Sequence, residues 1–149
     1  MFQLIVAVIA IALVIALTLA SIFYGGEAFT RSSLKANVAA MVNQAQQISG
    51  ANTLYKTDKA KDAGSVADLA AKDATGFSYL EEVPNAPRIV ADDADTDNGK
   101  AAWELSADKE YVQIALPTEG LAEIEQAVSD NGVGSVNTDG DEPLFQFPL

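Results

Sequence analysis

The first 26 residues carry no charged side chain, and Glu27, which ends the run, opens a second helical pattern instead of a loop. Leu4 to Tyr24 is broken only by Thr18 and Ser21. As a helix rising ~1.5 Å per residue, that stretch crosses a hydrocarbon core of ~30 Å. Thirteen of its residues are Leu, Ile, Val or Phe. At roughly −0.3 to −0.6 kcal/mol each they favour insertion by about 4 to 8 kcal/mol. Such a segment partitions into a bilayer or into an equally apolar protein interior.

The flanks argue against a cleaved secretory signal, which needs a basic region ahead of a shorter apolar core. Nothing basic precedes Arg31, and Thr18-Leu19-Ala20 only weakly imitates a cleavage site. Arg31 and Lys35 lie on the C-terminal flank alone, which by the positive-inside rule would hold the rest of the chain in the cytoplasm. The conflict disappears if a short basic leader once preceded Met1. The expectation is therefore that Met1 is a mature N-terminus.

Residues 27 to 149 hold all the charge, nine basic against 21 acidic, with no basic residue after Lys109. An acidic C-terminal third repels nucleic acid and anionic lipid, so no charge-driven nucleic-acid binding is expected. The absence of Cys and His removes disulfides, thiolate nucleophiles, imidazole bases and the usual zinc ligands. Catalysis would need a carboxylate pair or a Ser-Lys pair. Glu81-Glu82 and Asp92-Asp93 read as solvated neighbours, and Ser32 and Ser33 fall on a helix with Lys35. No enzyme is expected.

Past Gly25-Gly26 the apolar positions become periodic. Leu34, Val38, Met41, Val42, Ala45 and Ile48 make one helical stripe, opposite Arg31, Lys35, Asn37, Asn43, Gln44 and Gln47. The expected organisation is a hydrophobic helix over 1–26, its amphipathic continuation over 27–57 and a globular head over 58–149. The fold class is α+β, with a long N-terminal helix ahead of a small antiparallel sheet, and Gly25-Gly26 is the place where that helix would break if it breaks. Each of those glycines costs about 1 kcal/mol relative to Ala, so the rod bends or melts there first.

In the head, Ser65 with Asp68 spells a capping box opening a short helix through Val66, Leu69 and Ala70. Phe77 to Val83 and Arg88 to Ala91 read as short strands. Ala101 to Ser106 and Lys109 to Leu116 read as a hairpin around Ala107-Asp108. A helix is expected from about Glu119 to Ser129, stopping at Asn131-Gly132. Leu144 to Phe147 reads as a last strand at an edge. Asp93, Asp95, Asp97 and Glu104 approximate calcium-loop positions 1, 3, 5 and 12, with Gly99 one place late. A solvated acidic turn is the competing reading, as it is for Asp139-Gly140-Asp141-Glu142.

This layout resembles type IV pilins, most specifically over Leu34 to Asp58, LKANVAAMVNQAQQISGANTLYKTD, where the long helix of that family leaves an apolar bundle for the head. The resemblance covers about the first 60 residues and the head by architecture. It implies a prepilin peptidase that removes the leader and methylates Met1, storage in the inner membrane, assembly machinery, and a homopolymer on the bacterial surface serving roles such as adhesion. It also implies contacts through the rod, for which Gln3, Ala7, Ala10, Ala12, Ala16, Ala20, Gly25 and Gly26 are the candidates. The alanines would allow close helix approach, and the glycines would let the rod stretch during extraction. Two departures stand out. Ile5 occupies the position where pilins carry Glu to neutralise a neighbour's N-terminal amine, leaving the Gln3 amide or a backbone carbonyl as acceptor. The disulfide-bounded C-terminal loop is missing, so Leu144, Phe145 and Phe147 must hold that end by packing. A minor pilin or pseudopilin, or an anchored extracytoplasmic binding protein that never polymerises, shares the same anchor and head.

Overall fold

The computed structural model describes residues 1–93 and 99–149, with the surroundings of residues 26–29 left aside. The chain divides into two compact units, Met1–Leu34 and Lys35–Leu149. One helix, α1 (Phe2–Lys59), passes through both. It is assigned unbroken through Gly25, so the expected interruption is not seen at that residue. A glycine weakens the helix by about 1 kcal/mol but keeps its backbone donor and acceptor, and so need not end it. The continuation also runs two residues past 57, and from Lys35 onward α1 belongs with the head.

In the first unit every described residue up to Gly25 is exposed. In the second, Val38, Met41, Val42, Ala45, Ile48 and Ala51 are buried along one side of α1, as the periodicity predicts. Burying the larger of these side chains stabilises the fold by about 1.5 to 3 kcal/mol each.

The remaining elements are α2 (Val66–Ala70), β1 (Glu104–Leu105), β2 (Tyr111–Ala115), α3 (Leu121–Asn131), β3 (Ser135–Asn137) and β4 (Leu144–Pro148). The strands form one antiparallel sheet in the order β1-β2-β4-β3. The hairpin forms as expected, with Leu105 opposite Val112, although β1 keeps only two residues. Val112 faces Phe147 and Ile114 faces Phe145, so alternation puts these pairs on the core side. Gln113 and Gln146 pair on the other side, with the Gln146 amide donating to Gln113 at 3.3 Å. β4 is not an edge strand. It lies between β2 and β3, and β3, with one apolar residue in three, is the edge on that side as β1 is on the other.

Both predicted strands at Phe77–Val83 and Arg88–Ala91 are absent, and the chain there is turns and bends. Pro84 and Pro87 have no N–H to give a ladder. The segment is held by single contacts, Leu80 N–H to the Leu69 carbonyl at 2.8 Å and Asp73 N–H to the Phe77 carbonyl at 2.9 Å. The capping box of α2 is present in both directions, Asp68 N–H to Ser65 Oγ at 3.3 Å and Ser65 N–H to Asp68 Oδ2 at 2.9 Å. Helix α3 ends at Gly132, whose φ of 77° is the left-handed conformation of a C-cap.

Candidate functional site

In the unit Met1–Leu34, large apolar side chains point outward all round, Val14 at 62% exposure and Phe23 at 79% among them. α1 is the one helix among the described residues long and apolar enough to cross a membrane. Its hydroxyl at Thr18 is satisfied internally, donating to the Val14 carbonyl at 2.8 Å, which suits a segment out of water. Met1 precedes the helix, and its carbonyl accepts from the Ile5 N–H at 3.2 Å. Gln3 and Ile5 are both exposed, and the Gln3 amide has no hydrogen bond among the described residues.

The five alanines, Ala7, Ala10, Ala12, Ala16 and Ala20, are exposed but do not share one stripe. At ~100° per residue Ala16 stands opposite Ala7, but Ala10 and Ala20 are only about 80° apart, so the alanines are spread around the helix. Close approach through alanine would thus be possible on more than one face. Gly25 is exposed, with nothing within 4 Å of a Cβ built on it, and Gly26 follows it within α1.

The head carries a second surface of interest. Gln47, Gly50, Ala51 and Leu54, at helical spacing on α1, form one wall of an open groove of about 750 Å³. The segment Tyr79–Asn85 forms the other wall, with exposed Glu81 and Glu82 at its lip. Leu54 is 60% exposed, and Phe77 beside Tyr79 is 55% exposed. The Tyr79 ring meets Tyr55 edge-on at 5.1 Å and Phe77 at 5.2 Å. Its hydroxyl donates to Asp58, which also pairs with Lys59 at 3.2 Å. The Tyr79 bond, then Lys59, lowers the Asp58 carboxyl below its ordinary value, while Asp58 raises both Tyr79 and Lys59.

The groove wall is braced by a polar relay that sequence reasoning misassigned. Gln44, read as part of the solvent face, accepts from the Trp103 indole N–H at 3.1 Å and donates to the Asn85 carbonyl at 2.9 Å. Its position three residues after Met41 and four before Ile48, on the shoulder of the buried stripe, is the signal that could have found it. Glu81 and Glu82, read as solvated neighbours, are exposed, but their place at the lip of the groove, like that of Tyr79 on its wall, comes only from the tertiary fold.

Of the four calcium candidates, Asp93 and Glu104 lie among the described residues. Asp93 closes the neck of its loop, its N–H donating to the Gly99 carbonyl at 3.1 Å, beside an Asp92–Lys100 ion pair. Glu104 sits in β1 opposite Gln113, committed to a ladder position. Asp95 and Asp97 lie outside the described residues. No group of three or more acidic side chains placed to hold a metal occurs among the described residues.

The fold is thus that of an α+β head on a helix of membrane-spanning length. No protein-family model matches the chain, and neither a curated protein nor a solved structure matches it.

Proposed function

We propose that this chain is the structural subunit of a type IV pilus-like filament on the bacterial surface, held in the inner membrane by the apolar part of α1 and polymerised through it. The observation that carries the reading is a fully exposed apolar segment, Met1 to Tyr24, on a chain that also folds a head with its own core. In water that surface is untenable, and it needs lipid or an equally apolar protein neighbour. A bundle of identical helices supplies the second, and heterologous contacts that do not close give an open filament. A prepilin peptidase and pilus assembly machinery are the partners this reading requires, methylation at the processed terminus is its expected modification, and adhesion is one role for the product.

The test is electron microscopy of filaments sheared from expressing cells, with intact mass spectrometry of the subunit. Filaments built mostly of this chain support the reading, and the mass reports its terminal residue and any methyl group. A chain found only in the membrane fraction overturns it. The groove beside Tyr79 favours a second reading, an anchored extracytoplasmic binding protein. A minor pilin or pseudopilin would appear in filaments only at low stoichiometry.

A further inference from the structure

The groove beside Tyr79 lies wholly within the unit Lys35–Leu149, and the wall opposite α1 is tied down at both ends. At one end the Tyr79 hydroxyl donates to Asp58 and the ring packs edge-on against Tyr55. At the other the Asn85 carbonyl accepts from the Gln44 amide. A wall held in this way is already formed, so an occupant does not have to order it. Between the ties, the N–H groups of Glu81, Glu82 and Val83 donate to no backbone carbonyl among the described residues, and so remain open to an acceptor from outside. Facing them, α1 offers Gln47, Gly50 and Leu54, all exposed. A helix-interior glycine is unfavourable, yet a Cβ at Gly50 would meet nothing within 4 Å, so no contact inside this chain calls for its absence. The apolar lining is Leu54, Leu80, Val83 and Pro84, and the lip is Glu81 and Glu82. Among the described residues no Lys or Arg lines the groove, and neither lip carboxylate has an ion-pair partner.

We infer that this groove binds a short extended peptide segment of another protein, in which apolar and basic residues alternate. The occupant is fixed by charge and shape together. Unmatched carboxylates at the lip call for cations and repel an anionic ligand, while the lining calls for apolar side chains. An extended chain meets both demands at once, because its successive side chains point to opposite sides. One set enters the lining and the other reaches Glu81 and Glu82. The peptide carbonyls accept from the open N–H groups of the wall and from the Gln47 amide, and Gly50 lets the peptide backbone come close. This inference rests on the reading of the head as a binding domain, and it stands whether or not the chain also polymerises.

The test uses the full chain in nanodiscs of zwitterionic lipid, with empty discs as the blank, and a capped, dye-labelled hexapeptide of alternating leucine and lysine. Fluorescence anisotropy should show saturable binding. Glu81→Gln with Glu82→Gln should weaken it about tenfold or more, and Gly50→Leu should do the same by filling the groove, with Trp103 fluorescence unchanged in both. Glu123→Gln with Glu125→Gln removes the same charge from exposed positions on α3, and should leave binding within about twofold. A peptide with serine in place of leucine should bind about tenfold more weakly or worse. No binding of the leucine-lysine peptide would overturn the inference. Equal losses in the two glutamine pairs, or equal binding of the serine peptide, would reduce the effect to net charge and overturn it too. Discs that bind no peptide but pair with each other, and stop pairing in Gly50→Leu, would give the groove to a second copy instead. The yield of sheared filaments decides polymerisation separately and leaves each of these outcomes as it is.

Discussion

Gln44 on α1 and Trp103 ahead of β1, 59 residues apart, share a hydrogen bond of 3.1 Å from the indole N–H to the amide oxygen. Trp103 is 4% exposed, so its N–H has little access to water as a substitute. The same amide donates to the Asn85 carbonyl, making one side chain the tie between helix, irregular segment and sheet. Its removal leaves a donor and an acceptor without partners. Gln44→Leu is therefore expected to destabilise the head by about 1 to 3 kcal/mol, more than an exposed glutamine on α1 such as Gln46→Leu. Denaturant titration of the full chain in micelles checks this, with the single Trp as its own fluorescent reporter.

Gly134 combines two constraints. Its φ is 84°, and a Cβ there would lie 2.5 Å from Phe145 Cε2. Phe145 is fully buried and stacks edge-on with Trp103 at 6.3 Å, so the ring has nowhere to retreat. Gly134→Ala should cost about 2 kcal/mol or more, from backbone strain and overpacking together. Gly76→Ala, also at positive φ but with open space around it, should cost less. Paired unfolding curves separate the two.

Asp73 accepts three hydrogen bonds on one oxygen, from Thr75 Oγ1 at 2.6 Å, Thr75 N–H at 2.8 Å and Phe77 N–H at 3.0 Å. The Thr75 hydroxyl, followed by the Phe77 and Thr75 amides, holds its carboxyl below the ordinary 3.8. A depressed carboxyl favours the folded state above the unfolded value, and that contribution is lost as pH falls through the folded one. Asp73→Asn should thus lower stability at pH 7 and flatten its dependence on pH below about 4. Melting temperatures of both proteins between pH 7 and pH 2 give the slope directly.

Val14 stands midway along the apolar segment. Val14→Lys adds about 2.5 to 3.5 kcal/mol to insertion and places an ammonium in any helix bundle formed there. Membrane retention and filament yield should both fall, while the Trp103 environment stays native because the head has its own core. Membrane fractionation beside fluorescence of the same preparation reads both.

What was legible in the sequence was whatever its neighbours along the chain decide. Continuous apolarity and then a helical stripe gave α1, Ser65 with Asp68 gave α2, and Gly132 gave the end of α3. Alternation at Val112 and Ile114 gave the hairpin. What failed depends on distant partners. Phe77–Val83 has strand-like residues, but Pro84 and Pro87 follow it, and the place beside β2 is taken by β4. Ser135–Asn137 looks like loop and becomes β3 only because β4 offers it an edge. Among the candidate site residues, Ala7, Ala10, Ala12, Ala16 and Ala20 lie on the apolar part of α1, and their spread around it follows from counting turns. The groove lip could not be read at all, since Glu81 meets α1 only through the tertiary fold.

The strand order carries a consequence for how the head is born. β4 separates β2 from β3, so β3 has no ladder to join until the chain beyond it has emerged as far as Gln146. The hairpin can close early, but the slot that Phe145 fills beside Trp103 stays open until that moment. Sheet closure must wait for the last strand, and a head interrupted in synthesis shows its deepest aromatic surface to whatever is near.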